Sequence, residues 1–329
     1  MIREIKTFIH ELLQTFDMED GFHKEEKVIV DEFYQKLRVT AQADKKTIVF
    51  MVDGRATHGG LADRLKGLIS AYGYAKAFKA DFKVHFVYPF NLHDYLIPNT
   101  VDWRIDEKDI VYTIPFSKPI TVNDHRFNPM FHKLYVRRCV KGVTQLHFYG
   151  NSSYYYDDFT PLFSELFKPS ERLQQDIDYH LQQIGGNYVS ITYRFQQLLG
   201  DFKERNYPTL PTDEREHLIM NCLNQIKKLH NLYPEKKVLV TSDSVSFLTE
   251  ANKLDYVYII EGNVVHMDWT GGESFKTYEK SFLDFFLLAQ VMYSILPTII
   301  RCIIVVSQSS HLKFTIDHIK KLSFNATRQ

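Results

Sequence analysis

The chain has 329 residues, 44% of them hydrophobic and 24% charged, which is enough apolar material to bury the cores of two modest globular domains. Its 40 basic residues are balanced by 40 acidic residues, so its overall charge argues against a protein that binds nucleic acid or an anionic membrane. Any site for a polyanion must then be a local cluster of residues.

The cysteines and the apolar runs point to a cytoplasmic protein. The three cysteines lie far apart without a CxxC pair, which argues against a disulfide framework and a structural zinc site. Charges occur throughout residues 1–6, so no signal peptide is predicted. The apolar run at 295–306 is interrupted by Pro297 and Arg301 and falls short of the roughly 20 residues of a bilayer span, so no transmembrane segment is predicted.

Strands alternate with helices in the N-terminal half. Apolar residues at helical spacing predict two helices in residues 1–43. A buried strand at 45–53, a long helix at 61–78 and a strand at 83–88 form a βαβ unit. Further strands are predicted at 109–114, 134–138 and 144–149, and a helical region at 160–183.

The C-terminal half repeats this alternation. Gly185-Gly186 marks a turn before a strand at 187–194, whose β-branched and aromatic residues alternate with polar ones. The pattern predicts an α/β protein with two doubly wound, Rossmann-type domains that face a central cleft, divided into residues 1–165 and 166–329. Further strands are predicted at 236–243, 256–260 and 302–306, and helices at 212–232, 244–254, 278–296 and 311–322.

The loop at 54–60 ends on two glycines, Gly59 and Gly60, between a predicted strand and a predicted helix. The unpaired amides of a helix N-terminus and the helix dipole attract anions, so this loop is a candidate site for a phosphate group. The alternative is that the two glycines only shape a turn.

Polar residues also stand at the ends of strands in the C-terminal half. Arg194 ends one strand, and Ser242 and Asp243 end the next. Open α/β sheets bind ligands beyond the carboxyl ends of their strands, so Arg194 is a candidate clamp for phosphate. Asp243 is a candidate acceptor for the N1 and N2 edge of guanine, or it only caps the helix that follows.

A serine-rich turn follows the last predicted strand. Ser307, Ser309 and Ser310 precede the helix predicted at 311. Hydroxyls and amides at a helix start can hold a diphosphate, although serine is also an ordinary N-cap residue. The three strand ends together predict a nucleotide site in the C-terminal domain.

Four segments resemble the motifs of the fucosyltransferase superfamily, the inverting, GDP-fucose-dependent enzymes that include nodulation, α1,6- and protein O-fucosyltransferases. Gly59-Gly-Leu-Ala-Asp-Arg-Leu-Lys-Gly-Leu68 is similar to its N-terminal glycine motif. Ser190-Ile-Thr-Tyr-Arg194 resembles its first donor motif, a strand that ends on an essential arginine. Val240-Thr-Ser-Asp-Ser-Val-Ser-Phe-Leu248 and Val305-Val-Ser-Gln-Ser-Ser-His-Leu312 are similar to its second and third motifs.

This resemblance implies the two-domain fold called GT-B, with the acceptor side in residues 1–165 and the donor-binding domain in 166–329. It also implies that no metal ion or other cofactor is needed. In one respect the chain departs from the family, which often has a second arginine or an Arg-Gly-Asp sequence beside the arginine. Here Arg194 stands alone, and the nearest Gly-Asp is Gly200-Asp201. Asp157-Asp158 is either a metal-binding carboxylate pair, as in the other glycosyltransferase fold, or solvated surface.

The implied reaction transfers a sugar, with inversion, from a GDP-sugar to a hydroxyl of a glycan or lipid-linked glycan acceptor. Arg194 and the amides of Ser309 and Ser310 would stabilise the negative charge on the departing diphosphate. Asp63 would accept the proton of the acceptor hydroxyl, with Asp201 and Glu204 as alternatives; otherwise Asp63 only stabilises its own helix. The donor-binding residues expected from the motifs are Gly59, Gly60, Arg64, Ser242, Asp243, Ser307, Ser309 and Ser310.

Two other functions fit the same sequence. One is a non-catalytic protein that binds a nucleotide-sugar or a glycan with a GT-B shell. The other is a metal-independent glycosyltransferase that uses a different nucleotide donor. None of the three functions involves a nucleic-acid partner.

Overall fold

A computed structural model of the chain describes residues 24–38, 46–122, 129–151, 158–201, 208–268, 274–293 and 301–305. These residues form two compact units. The N-terminal unit contains the described residues up to Ser170 together with Met267 and Asp268, and the C-terminal unit contains the others. The chain therefore first passes from one unit to the other between Ser170 and Glu171, compared with the boundary predicted near residue 165.

The N-terminal unit is an α/β structure. In chain order its elements are α1 (Lys24–Phe33), β1 (Gln35–Lys36), β2 (Thr47–Val52), α2 (Leu61–Phe78), β3 (Asp81–Phe86), β4 (Leu96–Pro98), β5 (Thr113–Ile114), β6 (Ser117–Val122), α3 (Pro129–Lys141), β7 (Gln145–Gly150), α4 (Phe159–Leu166) and β8 (Phe167–Pro169). Single turns of 3₁₀ helix lie at Leu92–Asp94 and Glu107–Asp109.

Four parallel strands form the main sheet of this unit, in the order β3-β2-β7-β6. Ile48 to Val52 of β2 are all buried, as expected for a central strand of a parallel sheet covered on both faces. The chain leaves β2 toward β3 on one side and returns through β6 and β7 on the other, so the strand order reverses beside β2. Two short pairs complete the unit, β1 with β5 and β4 with β8.

Helix α2 shows the predicted close packing against the sheet. Its buried stripe includes Leu65, Leu68 and Tyr72. A Cβ atom on Gly67 would collide with the backbone carbonyl of Gly150 at the end of β7, so only glycine permits this approach.

The secondary structure of residues 109–141 differs from the prediction in three places. Residues 134–138 are part of helix α3, where the buried Tyr135, Val136, Cys139 and Val140 recur at helical spacing. Strand β6 was not predicted, because it contains Pro119 and proline is unusual inside a strand. It lies at the edge of the sheet, where proline is tolerated. Of the strand predicted at 109–114, only β5 is present.

Helix α1, the second of the two helices predicted in residues 1–43, protects this edge strand. Its Glu26 is 5% exposed, and its carboxylate accepts a hydrogen bond of 2.7 Å from the backbone amide of Thr121 in β6. The hydroxyl of Tyr135 donates to the same carboxylate at 3.2 Å. The carboxylate thereby satisfies an edge-strand donor that would otherwise lack a partner.

The C-terminal unit is a second α/β structure. Its described elements are α5 (Glu171–Ile184), β9 (Tyr188–Arg194), α6 (Thr212–Leu232), β10 (Lys237–Ser242), α7 (Val245–Ala251), β11 (Val257–Tyr258), α8 (Phe275–Tyr293) and β12 (Arg301–Val305). Its described strands are all parallel, in the order β11-β10-β9-β12. The predicted α/β class, with parallel sheets in both halves, is confirmed.

Most elements of this unit lie where the sequence predicted them. The buried core around β9 and β10 includes Val189, Ile191, Val238, Val240 and Phe247. The helical region predicted at 160–183 is interrupted by the short strand β8, which separates α4 from α5. The helix predicted at 311–322 lies outside the described residues.

Two further predictions can be compared with the described residues. Cys139 and Cys222 are buried thiols. None of the described helices combines the length with the continuous apolar character that a bilayer-spanning segment requires.

Candidate functional site

Arg194 lies where the strand order of the C-terminal sheet reverses. It is the last residue of β9, with β10 and β11 on one side and β12 on the other. In register, Val305 of β12 lies opposite Arg194, and Ser242 of β10 lies opposite Tyr193. Ligands of doubly wound sheets bind outside the carboxyl ends of the strands at such a reversal.

The guanidinium of Arg194 is held by the buried carboxylate of Asp243. Its Nη1 lies 2.8 Å from Oδ2 of Asp243, and the two side chains are 39% and 7% exposed. The carboxylate also accepts hydrogen bonds of 2.7 Å from the backbone amides of Phe195 and Gln196. Gln196 has a positive φ of 56°, so this carboxylate fixes a sharp turn directly after the strand.

Burial raises the pKa of Asp243, against the opposing effects of Arg194 and the backbone amides of Phe195 and Gln196. Both carboxylate oxygens are already engaged by the arginine and the turn. The structure therefore assigns Asp243 to positioning Arg194, a role that was not predicted from the sequence.

Ser244, not Asp243, is the N-cap of α7. The Ser244 hydroxyl accepts a hydrogen bond of 3.2 Å from the amide of Phe247. The predicted capping role of Asp243 was wrong by one residue. Ser242 has a local role, because its hydroxyl accepts a hydrogen bond of 3.1 Å from the amide of Ser244.

Asp201, an alternative to Asp63 as the base, is tied to the start of the same helix. Its Oδ2 accepts hydrogen bonds from the Ser244 hydroxyl at 2.9 Å and from the Ser246 amide at 2.6 Å. These bonds give Asp201 a helix-stabilising role, because a carboxylate is favoured beside the amides of a helix start.

The remaining candidate residues include five that the structure does not describe and Asp158, which it does. Ser307, Ser309, Ser310, Glu204 and Asp157 lie outside the described residues. Asp158 immediately precedes α4 and makes no side-chain cap hydrogen bond. Within the described part of the chain, no three His, Cys, Asp or Glu side chains converge as a metal site.

The glycine loop of the N-terminal unit is organised around an internal ion pair. Arg64 is 1% exposed, and its Nη2 donates to Asp268 Oδ1 at 2.7 Å. The same guanidinium donates to the carbonyl oxygens of Gly59 at 2.9 Å and Tyr88 at 3.1 Å. A guanidinium so buried holds the loop together, so the structure does not present Arg64 to a donor as the sequence predicted.

The carboxylate of Asp268 also lies at the backbone amides that were predicted to bind a phosphate. Its Oδ2 accepts a hydrogen bond of 2.8 Å from the Gly59 amide, and its Oδ1 lies 3.4 Å from the amide of His58. The loop before α2 therefore attracts an anion as expected, but the anion at Gly59 is a carboxylate of the protein itself. No motif in the sequence links Asp268 to this loop.

Gly60 and Asp63, unlike Arg64, are partly exposed. A Cβ added to Gly60 would meet no atom within 4 Å, so the backbone is open to close approach there. Asp63, in the first turn of α2, is 41% exposed and pairs with Lys66 at 2.7 Å. Donor binding by Gly60 and the role of Asp63 as the base therefore stay predictions.

Three buried histidines of the N-terminal unit predict sensitivity to acid. Burial, assisted by Arg64, lowers the pKa of His58 to about 4, and burial lowers the pKa values of His132 and His147 to about 3. Because these values lie below the ordinary 6.5, the unfolded chain binds more protons, and stability falls as the pH drops below 6.5 toward 4. Each histidine contributes about 1.4 kcal/mol per pH unit in this window.

The measurement is the free energy of urea unfolding across this pH range. We expect His58→Asn to flatten the slope by about one histidine's share. Equal slopes for the wild type and His58→Asn would contradict the assignment to His58.

The fold has solved counterparts. No protein-family model matches this sequence, and no curated protein matches it. The chain is similar to NodZ α1,6-fucosyltransferase soaked with GDP-fucose, with 13% identity and a TM-score of 0.51 over 81% of this chain and 90% of that chain. The same enzyme co-crystallised with GDP gives 13% identity and a TM-score of 0.51 over 82% and 90%.

A third structure, fucosyltransferase NodZ from Bradyrhizobium, shares 12% identity and a TM-score of 0.50 over 75% of this chain and 87% of that one. The similarity extends over most of both chains and includes both units, and at this identity it concerns the fold. It agrees with the resemblance found in the four sequence motifs. The chain therefore has the fold of the NodZ fucosyltransferases.

Proposed function

We propose that this chain is a glycosyltransferase, and specifically an inverting fucosyltransferase that transfers fucose from GDP-fucose to a hydroxyl of a glycan acceptor. The observation that carries the proposal is Arg194, a partly exposed guanidinium held by the buried Asp243 where the strand order of a parallel sheet reverses. A fixed guanidinium at this position suits a diphosphate. The NodZ structures with GDP and GDP-fucose share this fold, which supports a GDP-sugar as the donor.

In the proposed reaction, the acceptor oxygen attacks the anomeric carbon while the bond from that carbon to the diphosphate oxygen breaks. Negative charge grows on the departing diphosphate, and Arg194 stabilises it without further rearrangement because Asp243 already holds the guanidinium. Ser309 and Ser310 are proposed to assist through their amides. The residues invoked here supply the charge compensation without a metal ion.

The proton of the acceptor hydroxyl needs a base. Asp63 is the proposed base because it is a partly exposed carboxylate on the glycine motif. Asp201 is the weaker alternative, since its Oδ2 already accepts two hydrogen bonds at the start of α7. The GT-B arrangement, with the acceptor side in the N-terminal unit, belongs to the same proposal.

The nucleotide is tested by comparing the thermal unfolding of the full chain with GDP, UDP, ADP and CMP. A ligand that binds only the folded state stabilises it by about 2.7 kcal/mol at a concentration 100 times its Kd. We expect GDP to raise the unfolding midpoint most. A larger shift with UDP, ADP or CMP would overturn the GDP assignment in favour of a different nucleotide donor.

Transfer itself is measured as GDP released from GDP-fucose in the presence of a panel of glycan acceptors, with and without EDTA. Undiminished release in EDTA supports the metal-free mechanism. Strict dependence on Mn²⁺ would contradict it and would return attention to Asp157 and Asp158.

A second candidate function is binding of a nucleotide-sugar without catalysis. Two observations favour it: β9 ends on a single arginine, and Asp201 is committed to a helix start. Tight binding of GDP-fucose without turnover on any acceptor would select this function over the fucosyltransferase.

A further inference from the structure

A second arginine lies at the carboxyl end of the N-terminal sheet. Arg55 follows β2, the strand beside which the strand order of this sheet reverses. Gly54, with a φ of 86°, makes the turn between β2 and Arg55, and a Cβ there would lie 3.3 Å from the ring of Tyr88. The arginine thus occupies the position in its sheet where ligands of open α/β sheets bind.

Two aromatic rings clamp the guanidinium of Arg55. Its Cζ lies 4.5 Å from the ring centroid of Phe33 and 4.3 Å from that of Tyr112. These cation–π contacts cover the planar guanidinium and leave the side chain 22% exposed. The orientation of its N–H groups is therefore fixed before any ligand arrives.

Part of the hydrogen-bonding capacity of Arg55 is unmet within the described part of the chain. Its Nη1 is buried without a hydrogen-bond acceptor. The nearest carboxylate oxygen, Oδ2 of Asp53, is 3.4 Å away, an ion pair without hydrogen-bond geometry. That oxygen accepts from the Tyr149 hydroxyl at 3.0 Å, and Oδ1 of Asp53 accepts from the Arg55 amide at 3.1 Å.

Arg55 nevertheless remains positively charged. Burial opposes the charge, but Asp53 and the hydroxyls of Tyr112 and Tyr149 outweigh that effect and raise the pKa of Arg55. The other titratable side chains recorded near this group are Tyr34, His85, His147 and Glu107; burial lowers the pKa values of the two histidines and raises that of Tyr34. A charged, planar and oriented guanidinium with an unmet hydrogen-bond donor suits a carboxylate or phosphate.

We propose that Arg55 is an anion-binding residue that selects glycans carrying a carboxylate or a phosphate, such as a uronic acid or a sugar phosphate. The choice of a glycan as the carrier rests on the proposed function. The shared chemistry is an oxyanion that accepts two hydrogen bonds from one guanidinium. Asp53 and Tyr149 act as positioning residues, since Asp53 accepts from the Arg55 amide and from the Tyr149 hydroxyl and thereby holds the loop.

Isothermal titration of the full chain with glucuronate, glucose 6-phosphate and glucose tests this inference. We expect both anions to bind more tightly than glucose, and the tighter of the two identifies the class of anion. Arg55→Gln should weaken binding of that anion about 10- to 100-fold, the range for loss of hydrogen bonds to a charged group, and leave glucose unchanged. Arg104→Gln, which changes an exposed arginine paired with Asp102, should leave all three affinities unchanged.

Chemical modification of the wild-type chain avoids any loss of folding in the variant. Phenylglyoxal modifies accessible guanidinium groups, and mass spectrometry follows Arg55 and Arg104 separately. We expect glucuronate or glucose 6-phosphate, but not glucose, to protect Arg55, while Arg104 is modified equally throughout. Equal modification of Arg55 with and without the anions, or equal anion affinity in wild type and Arg55→Gln, would overturn the proposal.

These measurements use no nucleotide and no transfer assay. Their failure would leave the GDP-sugar proposal for Arg194 intact. Conversely, anion binding at Arg55 without any effect of GDP would support this site and count against the proposed transferase.

Discussion

Replacing Arg194 with alanine is expected to lower the rate of sugar transfer about 10²- to 10³-fold, the usual effect of removing one charge-stabilising donor from an active site. Asp243 and the turn at Phe195 and Gln196 hold this guanidinium in place before the substrate binds. Alanine removes the positive charge that would face the departing diphosphate. The measurement is GDP release from GDP-fucose at saturating acceptor.

The alanine variant also leaves the buried Asp243 without its arginine, so its folding is checked by circular dichroism and urea unfolding. Arg194→Lys keeps the charge but loses the planar fork, and we expect it to retain more activity than alanine. Arg172→Ala, an exposed arginine of the same unit, is the matched control and should keep full activity. A folded Arg194→Ala variant within a few-fold of wild type would refute the central role of Arg194.

Removing the carboxylate of Asp268 is expected to destabilise the N-terminal unit by about 3–5 kcal/mol, the cost of leaving one member of a buried ion pair alone. Arg64 is 1% exposed and Asp268 is 10% exposed, so an unpaired Arg64 has little access to water. The same carboxylate accepts the Gly59 amide of the glycine loop. Asp268→Ala therefore costs both the pair and the loop contact.

The free energy of urea unfolding measures this effect. Asp102→Ala is the matched control: Asp102 pairs with Arg104 in the same unit, but both side chains are more than half exposed, at 58% and 59%. Exposed pairs contribute about 1 kcal/mol or less. If the two alanine variants lost similar amounts of stability, the organising role of Asp268 would be refuted.

The sequence identified the elements whose patterns are local. The apolar run of β2 and the stripe of α2 predicted a buried strand and a packed helix, and both are present. Local patterns failed where tertiary position decides the outcome. Pro119 is compatible with β6 only because β6 lies at a sheet edge, and residues 134–138 are helical because the apolar residues of α3 face the core over a longer stretch.

For the candidate site, too, local sequence patterns predicted some residues but not the contacts between them. Arg194 and Asp243 were identified because each follows a strand, and parallel strands bring their carboxyl ends together. Their ion pair, and the turn at Gln196 that Asp243 holds, depend on distances that no sequence spacing encodes. Asp268 was missed because it is 204 residues from Arg64, and Arg55 was missed because its partners Phe33 and Tyr112 come from separate elements.

The long separation between Arg64 and Asp268 has a consequence for synthesis of the chain. Arg64 leaves the ribosome 204 residues before Asp268 does. At typical synthesis rates this delay is on the order of 10 to 40 s. From Gly150, the last residue of β7, until Asp268, every strand of the N-terminal sheet has been made, but the guanidinium of Arg64 still lacks its carboxylate. The N-terminal unit therefore completes its folding only after much of the C-terminal unit has been synthesised.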